Sequence, residues 1–503
     1  MIPLVSKRYF MNNLGLNNKS ASTALIDGEA SDLQNVQFDT NGAIVKRKGY
    51  AKRISAAITD APAINGGIEF RTKAGTTYVV IMTSNQKIYS DSETPSSWTD
   101  RTNAMTLTTG NTNYPCFTHT GDNDILVMTN QSDPPIQISN ALLATALAVP
   151  TGLTDAKYCL WWNNHLVIAN VIVSSTAYPL RLYFYDAGAL TVTNTHYVTI
   201  PSKDEEITGL AELFGNLYVF TPTEIHQISG YSYDDFIRLK TSSEVGTLSH
   251  WSIQNIENNL VFLSSKGIAV FDGIRSVNIS EKIQGTIDGL ATSRNQYSQS
   301  ITYRKRNQYQ LSISNSGSDT HNRVLVYDYL NRAWSIFVGI NANCFINTRR
   351  SDDVERLYHG DYAGLVYLND NTNNDNGTAI DGYWKSRAID LDSAIMKIFR
   401  HIAVFANQQG SYNLNIEYEV DFGGKGGSTT MTLSLAGGGS NWGTLVWGTN
   451  TWGGGTVVDA RKNLGVSVGR YIRIRFRTNS TDTPFTVLGF ELFAQGLGIR
   501  GNG

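Results

Sequence analysis

The sequence predicts an all-β fold: a degenerate β-propeller of about seven blades with an N-terminal extended arm and a C-terminal antiparallel β-sandwich. Three observations predict it. Strand-like apolar runs recur between residues 64 and 370, apolar positions at helical spacing are nearly absent, and the pattern changes to longer alternating strands after a polar cluster near residue 370.

The chain opens with residues 1–63, read as an arm and a hairpin. Leu33, Val36 and Phe38 lead into Asp39-Thr40-Asn41-Gly42, after which Ala43, Ile44 and Val45 resume an apolar run. Asn and Gly tolerate positive φ, so this reads as two short strands closed by an Asn-Gly turn. The Asp-x-Asn-Gly core also resembles the start of a calcium loop. Such a loop needs a Glu at its twelfth position, and counting from Asp39 that residue is Tyr50.

Residues 64–370 carry the repeats. YVVIM (Tyr78 to Met82) is followed by KIYS, DILVM (Asp124 to Met128) by IQIS, and HLVIA (His165 to Ala169) by RLYFYD. NLYVF (Asn216 to Phe220) precedes EIHQIS, NLVFL (Asn259 to Leu263) precedes GIAVFDG, QYQLSI (Gln308 to Ile313) precedes VLVYDY, and RLYHG (Arg356 to Gly360) precedes GLVYLND. The mean spacing is roughly 46 residues, that of four-stranded propeller blades. β-Solenoid coils are much shorter, and helical repeats would show 3.6-residue spacing. The Asn/Asp/Gly-rich stretch 371–382 reads as a linker. In 383–503, strands such as HIAVFA, LNIEYEV, YIRIRFR and LGFELFA suit a sandwich, with Ile472, Ile474 and Phe476 on one face and Arg473, Arg475 and Arg477 on the other.

Composition narrows the function. Charged residues make up 17% of the chain and the net charge is −2, so bulk electrostatics ask for neither nucleic acid nor membrane. Cys116, Cys159 and Cys344 are odd in number and far apart, which excludes a dense disulfide scaffold and any Cys-x-x-Cys site and suits a reducing cytosol. The N-terminus lacks an apolar export signal and no stretch approaches a membrane span, so no membrane insertion is expected.

Catalytic patterns are weak. The eight histidines are scattered without a paired ligand set and GGKGGS lacks P-loop spacing, so no cofactor and no metal are expected. Propellers that cleave glycans hold two carboxylates about 5 to 10 Å apart. Asp204, Glu205, Glu206, Glu224, Asp234 and Asp235 are candidates, with nothing in the sequence to select a pair. In GGGSNWGTLVWGTNTWGGG, Trp442, Trp447 and Trp452 recur every five residues between glycines. Tryptophans on glycine loops suit a subunit interface, a buried structural role or a glycan platform. Lys46-Arg47-Lys48 with Lys52 and Arg53, and the arginines of 471–477, are candidate phosphate contacts, although most such clusters are solvated faces.

The stretch Gly15 to Tyr50 combines a Gly-Leu-Asn start, Asp-Gly-Glu-Ala leading into Leu-x-Asn-Val, a turn, a basic run and Gly-Tyr. It resembles the N-termini of tail or neck structural proteins of tailed bacteriophages. The resemblance implies a non-enzymatic virion protein of the nozzle or tail-hub type: a homo-oligomeric ring, a hexamer, that contacts other tail or portal-adaptor proteins. Viral DNA would pass through without sequence-specific binding, and assembly would take place in the bacterial host cytoplasm. On that reading the arm, through Leu33, Val36 and Phe38, and the loop carrying Trp442, Trp447 and Trp452 are interface residues. The alternative is a carbohydrate-binding or carbohydrate-cleaving propeller acting on host surface glycans.

Overall fold

The computed structural model describes residues 4–497 apart from 12–13, 93, 122–123, 350–351, 394, 424–426 and 437–456. Among the described residues the fold is all-β, with helix limited to isolated short turns. Seven four-stranded antiparallel sheets follow one another, with strands drawn from residues 64–100, 116–146, 153–199, 209–240, 254–278, 299–338 and, for the seventh, 344–372 joined by 49–52. Each touches the next, and the first strand of the seventh, Cys344–Arg349, touches the first strand of the first, Ile64–Arg71, so the sheets close into a propeller-like ring. Apolar clusters fill the junctions: Phe70, Met82 and Met128 between the first and second sheets, Phe220, Phe262 and Phe271 between the fourth and fifth, and Ile64, Ile81 and Tyr358 where the ring closes.

This packing explains the repeat pattern. The second strand of each sheet is covered on both faces by neighbouring sheets, so it is a continuous apolar run rather than an alternation. Leu166, Val167, Ile168 and Ala169 are all fully buried. The hairpins that lead into the second strands of the third, fourth and fifth sheets have two central residues at positive φ: Asn163-Asn164, Phe214-Gly215 and Glu257-Asn258. That is the I′ geometry that matches strand twist.

The remaining strands form two more sheets that share one core. One has six strands: Val36–Phe38, Ile44–Lys46, Thr486–Gly496, Lys397–Asn407 and Val457–Gly469, with Leu4–Phe10 also alongside Thr486–Gly496. The other has five: Ala30–Gln34, Gly382–Ser386, Ile472–Thr478, Asn413–Val420 and Ser428–Ser434. Their core is continuous with ring residues Leu311, Trp334 and Ile336.

The N-terminal segment is woven through all of this. We label its strands β1 (Leu4–Phe10), β2 (Ala30–Gln34), β3 (Val36–Phe38), β4 (Ile44–Lys46) and β5 (Gly49–Lys52). The hairpin β3–β4 pairs Val36 with Lys46 and Phe38 with Ile44, and Asp39 Oδ1 accepts the Asn41 and Ala43 amides at 2.9 and 2.7 Å. β1, β2 and β4 pair with C-terminal strands, whereas β5 is the outer strand of the seventh ring sheet, with Tyr367 opposite Lys52. The segment expected as an arm outside the repeat therefore supplies strands to its own chain. Leu33 and Val36 are buried in the shared core of their own chain, and Phe38 packs half-buried against it.

Asn35 is the corner between β2 and β3, at φ 55°, where one left-handed residue carries the chain from one sheet to the other. Its amide donates to Ile336 O at 2.8 Å, its Oδ1 accepts from Val338 N at 2.8 Å, and its Nδ2 donates to Asp381 O at 2.9 Å. The same Oδ1 receives Arg47 Nε at 2.8 Å.

Arg47 is buried, and all five of its N–H donors are used inside the chain: on Asn35, on Lys48 O at 3.1 Å, on Val338 O at 2.8 Å, and on both Asp375 carboxylate oxygens at 2.8 and 2.6 Å. The basic cluster read as a candidate phosphate contact is thus internal at its centre. Lys46 Nζ donates to Thr483 O at 3.0 Å, and burial beside Arg47 brings its ammonium down to about 8. Lys48 Nζ donates to Asn373 Oδ1 at 2.7 Å. The stretch 371–382 holds Asp375 and so anchors the ring to the N-terminal segment. Gly49 is required there, since a Cβ would stand 1.8 Å from Asn374 O.

Removing one member of a buried ion pair leaves an uncompensated charge. Arg47→Met is expected to lower unfolding stability by about 3–5 kcal/mol. Arg47→Met with Asp375→Leu should recover much of that loss, which urea unfolding of the two variants and of wild type will measure.

Candidate functional site

At the ring axis the inner strands leave a cavity of about 360 Å³ whose wall includes Cys116, Glu212, His250, Trp251 and Gln299. Gly66 and Gly67 set its width. A Cβ on Gly66 would come within 2.4 Å of Pro115 Cγ, and one on Gly67 within 2.5 Å of Ile346 Cδ1, so the pair lets the first sheet approach both neighbours. A second cavity of about 320 Å³ is lined by Glu69, His119, Arg304, Arg349 and Glu355.

Among the carboxylates singled out from the sequence, Asp204 and Glu224 are neighbours: Ser202 Oγ accepts the Asp204 amide at 3.1 Å and donates to Glu224 Oε2 at 2.7 Å. Asp204 accepts Thr223 N at 2.8 Å and Thr223 Oγ1 at 2.9 Å, which ties down the turn before Glu224. Glu206 accepts Lys157 Nζ at 3.0 Å and Asn170 Nδ2 at 2.9 Å. Asp235 accepts the Tyr231 and Ser232 amides, while Glu205 and Asp234 are exposed. None of the six lines either cavity. Asp155 is pushed up to about 6 by burial and by Asp133, and it too lies outside both cavities. Among the described residues no cluster of three or more His, Cys, Asp or Glu side chains could hold a metal ion.

The arginine face of Ile472–Thr478 is neutralised across strands. Arg473 and Lys385 share Glu419, each at 2.6 Å, Arg475 reaches Glu417 at 3.1 Å, and Arg477 reaches Asp381 at 2.8 Å. Opposite charges directly across a sheet bind each other rather than a passing phosphate. Trp442, Trp447 and Trp452 lie outside the described residues.

Sequence reasoning missed the outer rim of the ring. Ile237 and Leu239, in the fourth sheet's outer strand Ile237–Lys240, are 62% and 59% exposed; Val277 in the fifth sheet's outer strand and Tyr197 in the third's are also exposed. These edges adjoin: Arg238 donates to Thr199 O at 2.8 Å and Ser242 Oγ to Ile274 O at 2.8 Å. Ile274, Tyr231 and Phe214 in nearby turns are exposed as well. Alternation in IRLK ordinarily signals a strand with its apolar face inward; here the strand is the last in its sheet and, among the described residues, nothing covers that face. A second exposed apolar group sits at one end of the six-stranded sheet, where Leu4 opposes Gln495, Leu497 donates to Met396 O, and Ile395 and Val468 are close by.

No family model and no curated protein matches this chain. Among solved structures, one described as "YCF48 bound to D1 peptide" is similar over 62% of this chain and 93% of its own, at 11% identity and a TM-score of 0.39. A likeness at that score carries no argument about what this chain does.

Glu224 is the most strongly paired of the candidate carboxylates. Burial pushes its pKa up, but hydrogen bonds from Lys240, Ser202 and His226 outweigh burial and hold the carboxyl down to about 2. A carboxylate depressed in the folded state contributes stability that is fully present above its ordinary value, near 4.5, and is lost as pH falls toward 2. Glu224→Gln is therefore expected to melt below wild type at pH 6, with the gap closing between pH 4.5 and 2, as a pH series of thermal melts will show.

Proposed function

We propose that this chain is a non-enzymatic structural subunit of a phage tail, of the nozzle or hub kind: a seven-bladed β-propeller fused to a β-sandwich, assembling into a homo-oligomeric ring around the DNA channel and joining neighbouring tail components. The observation that carries the proposal is where the exposed apolar side chains lie. Ile237, Leu239, Ile274 and Val277 gather on the outer edges of adjoining ring sheets, and Leu4, Ile395, Met396, Val468 and Leu497 gather at one end of the six-stranded sheet. Contiguous apolar patches and unpaired outer strands on a rigid body are what lateral association buries.

Two further features support it. The residues that carry the resemblance, Asn35, Arg47, Gly49 and Tyr50 among them, form the internal latch, so the pattern has a mechanical role. The arginines of Ile472–Thr478 are paired with carboxylates across the sheet, so this face has little charge to retard DNA sliding past by counterion exchange. A hexamer follows from the resemblance.

The test is the native mass of the purified chain across a concentration series. A discrete ring is expected for wild type. Ile237→Asp with Leu239→Asp should leave the melting temperature unchanged while shifting the population toward monomer, because both side chains are already in water in the isolated chain. A wild type that stays monomeric at all concentrations, and that binds or cleaves a bacterial surface polysaccharide, would replace this proposal with the glycan-directed one.

A further inference from the structure

Two of the three cysteines meet at the ring axis. Cys116, in the first strand of the second sheet, and Cys159, in the first strand of the third, face each other reciprocally. Cys116 Sγ lies 3.2 Å from Cys159 O, Cys159 Sγ lies 3.3 Å from Cys116 O, and the Cys159 amide donates to Cys116 Sγ at 3.4 Å.

His250 completes the group. Its Nε2 is 3.1 Å from Cys116 Sγ, and its Nδ1 accepts the Leu210 amide at 3.3 Å. A backbone N–H can only donate, so Nδ1 carries the lone pair and the ring proton sits on Nε2, aimed at the sulfur. The ring is held by Tyr158 at 4.8 Å and by Trp251, whose Nε1 donates to Pro115 O at 2.9 Å. Cys116 and His250 both line the 360 Å³ axial cavity, and Cys159 does not.

We propose that Cys116 and Cys159 form a peroxide-sensitive thiol pair at the ring axis, with Cys116 the attacking thiol, Cys159 the resolving thiol and His250 the positioning donor to the Cys116 sulfur. The thiolate of Cys116 attacks one oxygen of hydrogen peroxide: an S–O bond forms, the O–O bond breaks, and hydroxide leaves and takes up a proton. Cys159 gives up its proton and attacks the sulfenic sulfur; an S–S bond forms, the S–O bond breaks and a second hydroxide leaves. Two thiols and one peroxide give one disulfide and two waters. The product links the inner strands of two adjacent ring sheets.

The other thiols have no such surroundings. Hydrogen bonding to Cys159 and the nearby His250 hold the Cys116 thiol below its ordinary range against the opposing effect of burial, whereas burial pushes Cys159 up and Cys344 up to about 12. Low-lying thiolates with access to a cavity are the ones that oxidise.

The experiment uses the reduced full-length chain, hydrogen peroxide, and peptide mapping by mass spectrometry without reduction. A Cys116–Cys159 disulfide is expected in wild type, with Cys344 still a thiol. In Cys159→Ser, dimedone should trap a sulfenic acid on Cys116. The titratable groups facing Cys116 are Cys159, His250, Tyr158 and, across the cavity wall, Glu212. Against them the pH midpoint for iodoacetamide alkylation of Cys116 should rise in His250→Phe and return toward wild type in His250→Gln, which keeps an N–H donor. The proposal is overturned if Cys116 stays reduced in folded wild type, if Cys344 oxidises as fast, or if Cys116 over-oxidises without ever linking to Cys159.

Discussion

The buried pair of Arg47 and Asp375 is the constraint on which the architecture depends. Each of the five guanidinium donors needs an acceptor, and besides its chain neighbour Lys48 the acceptors come from three separated stretches: Asn35, Val338 and Asp375. Val338 ends the outer strand of the sixth ring sheet, Asp375 follows the last strand of the seventh, and Asn35 is the corner between two strands of the C-terminal sheets. The guanidinium is satisfied only when these three stretches are docked together. A pair of this kind adds little net stability over an apolar replacement, but a misdocked state leaves a bare charge in a dry site. Gly339 fits the same picture: a Cβ there would stand 2.9 Å from Asp375 Oδ2 and 3.4 Å from Arg47 Nη2.

Much of the ring was legible in the sequence because its signals are local. Second strands covered on both faces give unbroken apolar runs such as HLVIA and NLVFL, and I′ turns place Asn before them. Alternation in YIRIRFR correctly separated buried Ile472, Ile474 and Phe476 from the arginine face. The Asp39–Gly42 hairpin was legible for the same reason.

What was not legible is non-local. Nothing in GYAK announces that it pairs with Val366–Thr372, more than 300 residues away, and completes the seventh sheet. The basic run Lys46-Arg47-Lys48 reads as a solvated or phosphate-binding cluster because charge is usually exposed; its burial is decided by Asp375, which sits in a stretch that reads as a linker. The Cys116–Cys159–His250 group was likewise invisible, since its members lie 43 and 134 positions apart and meet only once the ring has closed. The exposed Ile237 and Leu239 were misleading in the opposite sense, because an edge strand and an internal strand share one pattern.

The central claim is that the N-terminal segment makes the ring and the two C-terminal sheets one cooperative body. Native-state hydrogen exchange measures this directly, since strands that open together share one opening free energy. The account predicts that amides of β2 and β5, of Val366–Thr372 and of Gly382–Ser386 open with a common free energy close to that of global unfolding. If β2 and β5 exchange at a much lower free energy while the ring and the C-terminal sheets keep separate, higher values, the N-terminal segment is an ornament on two independent domains and the account is contradicted.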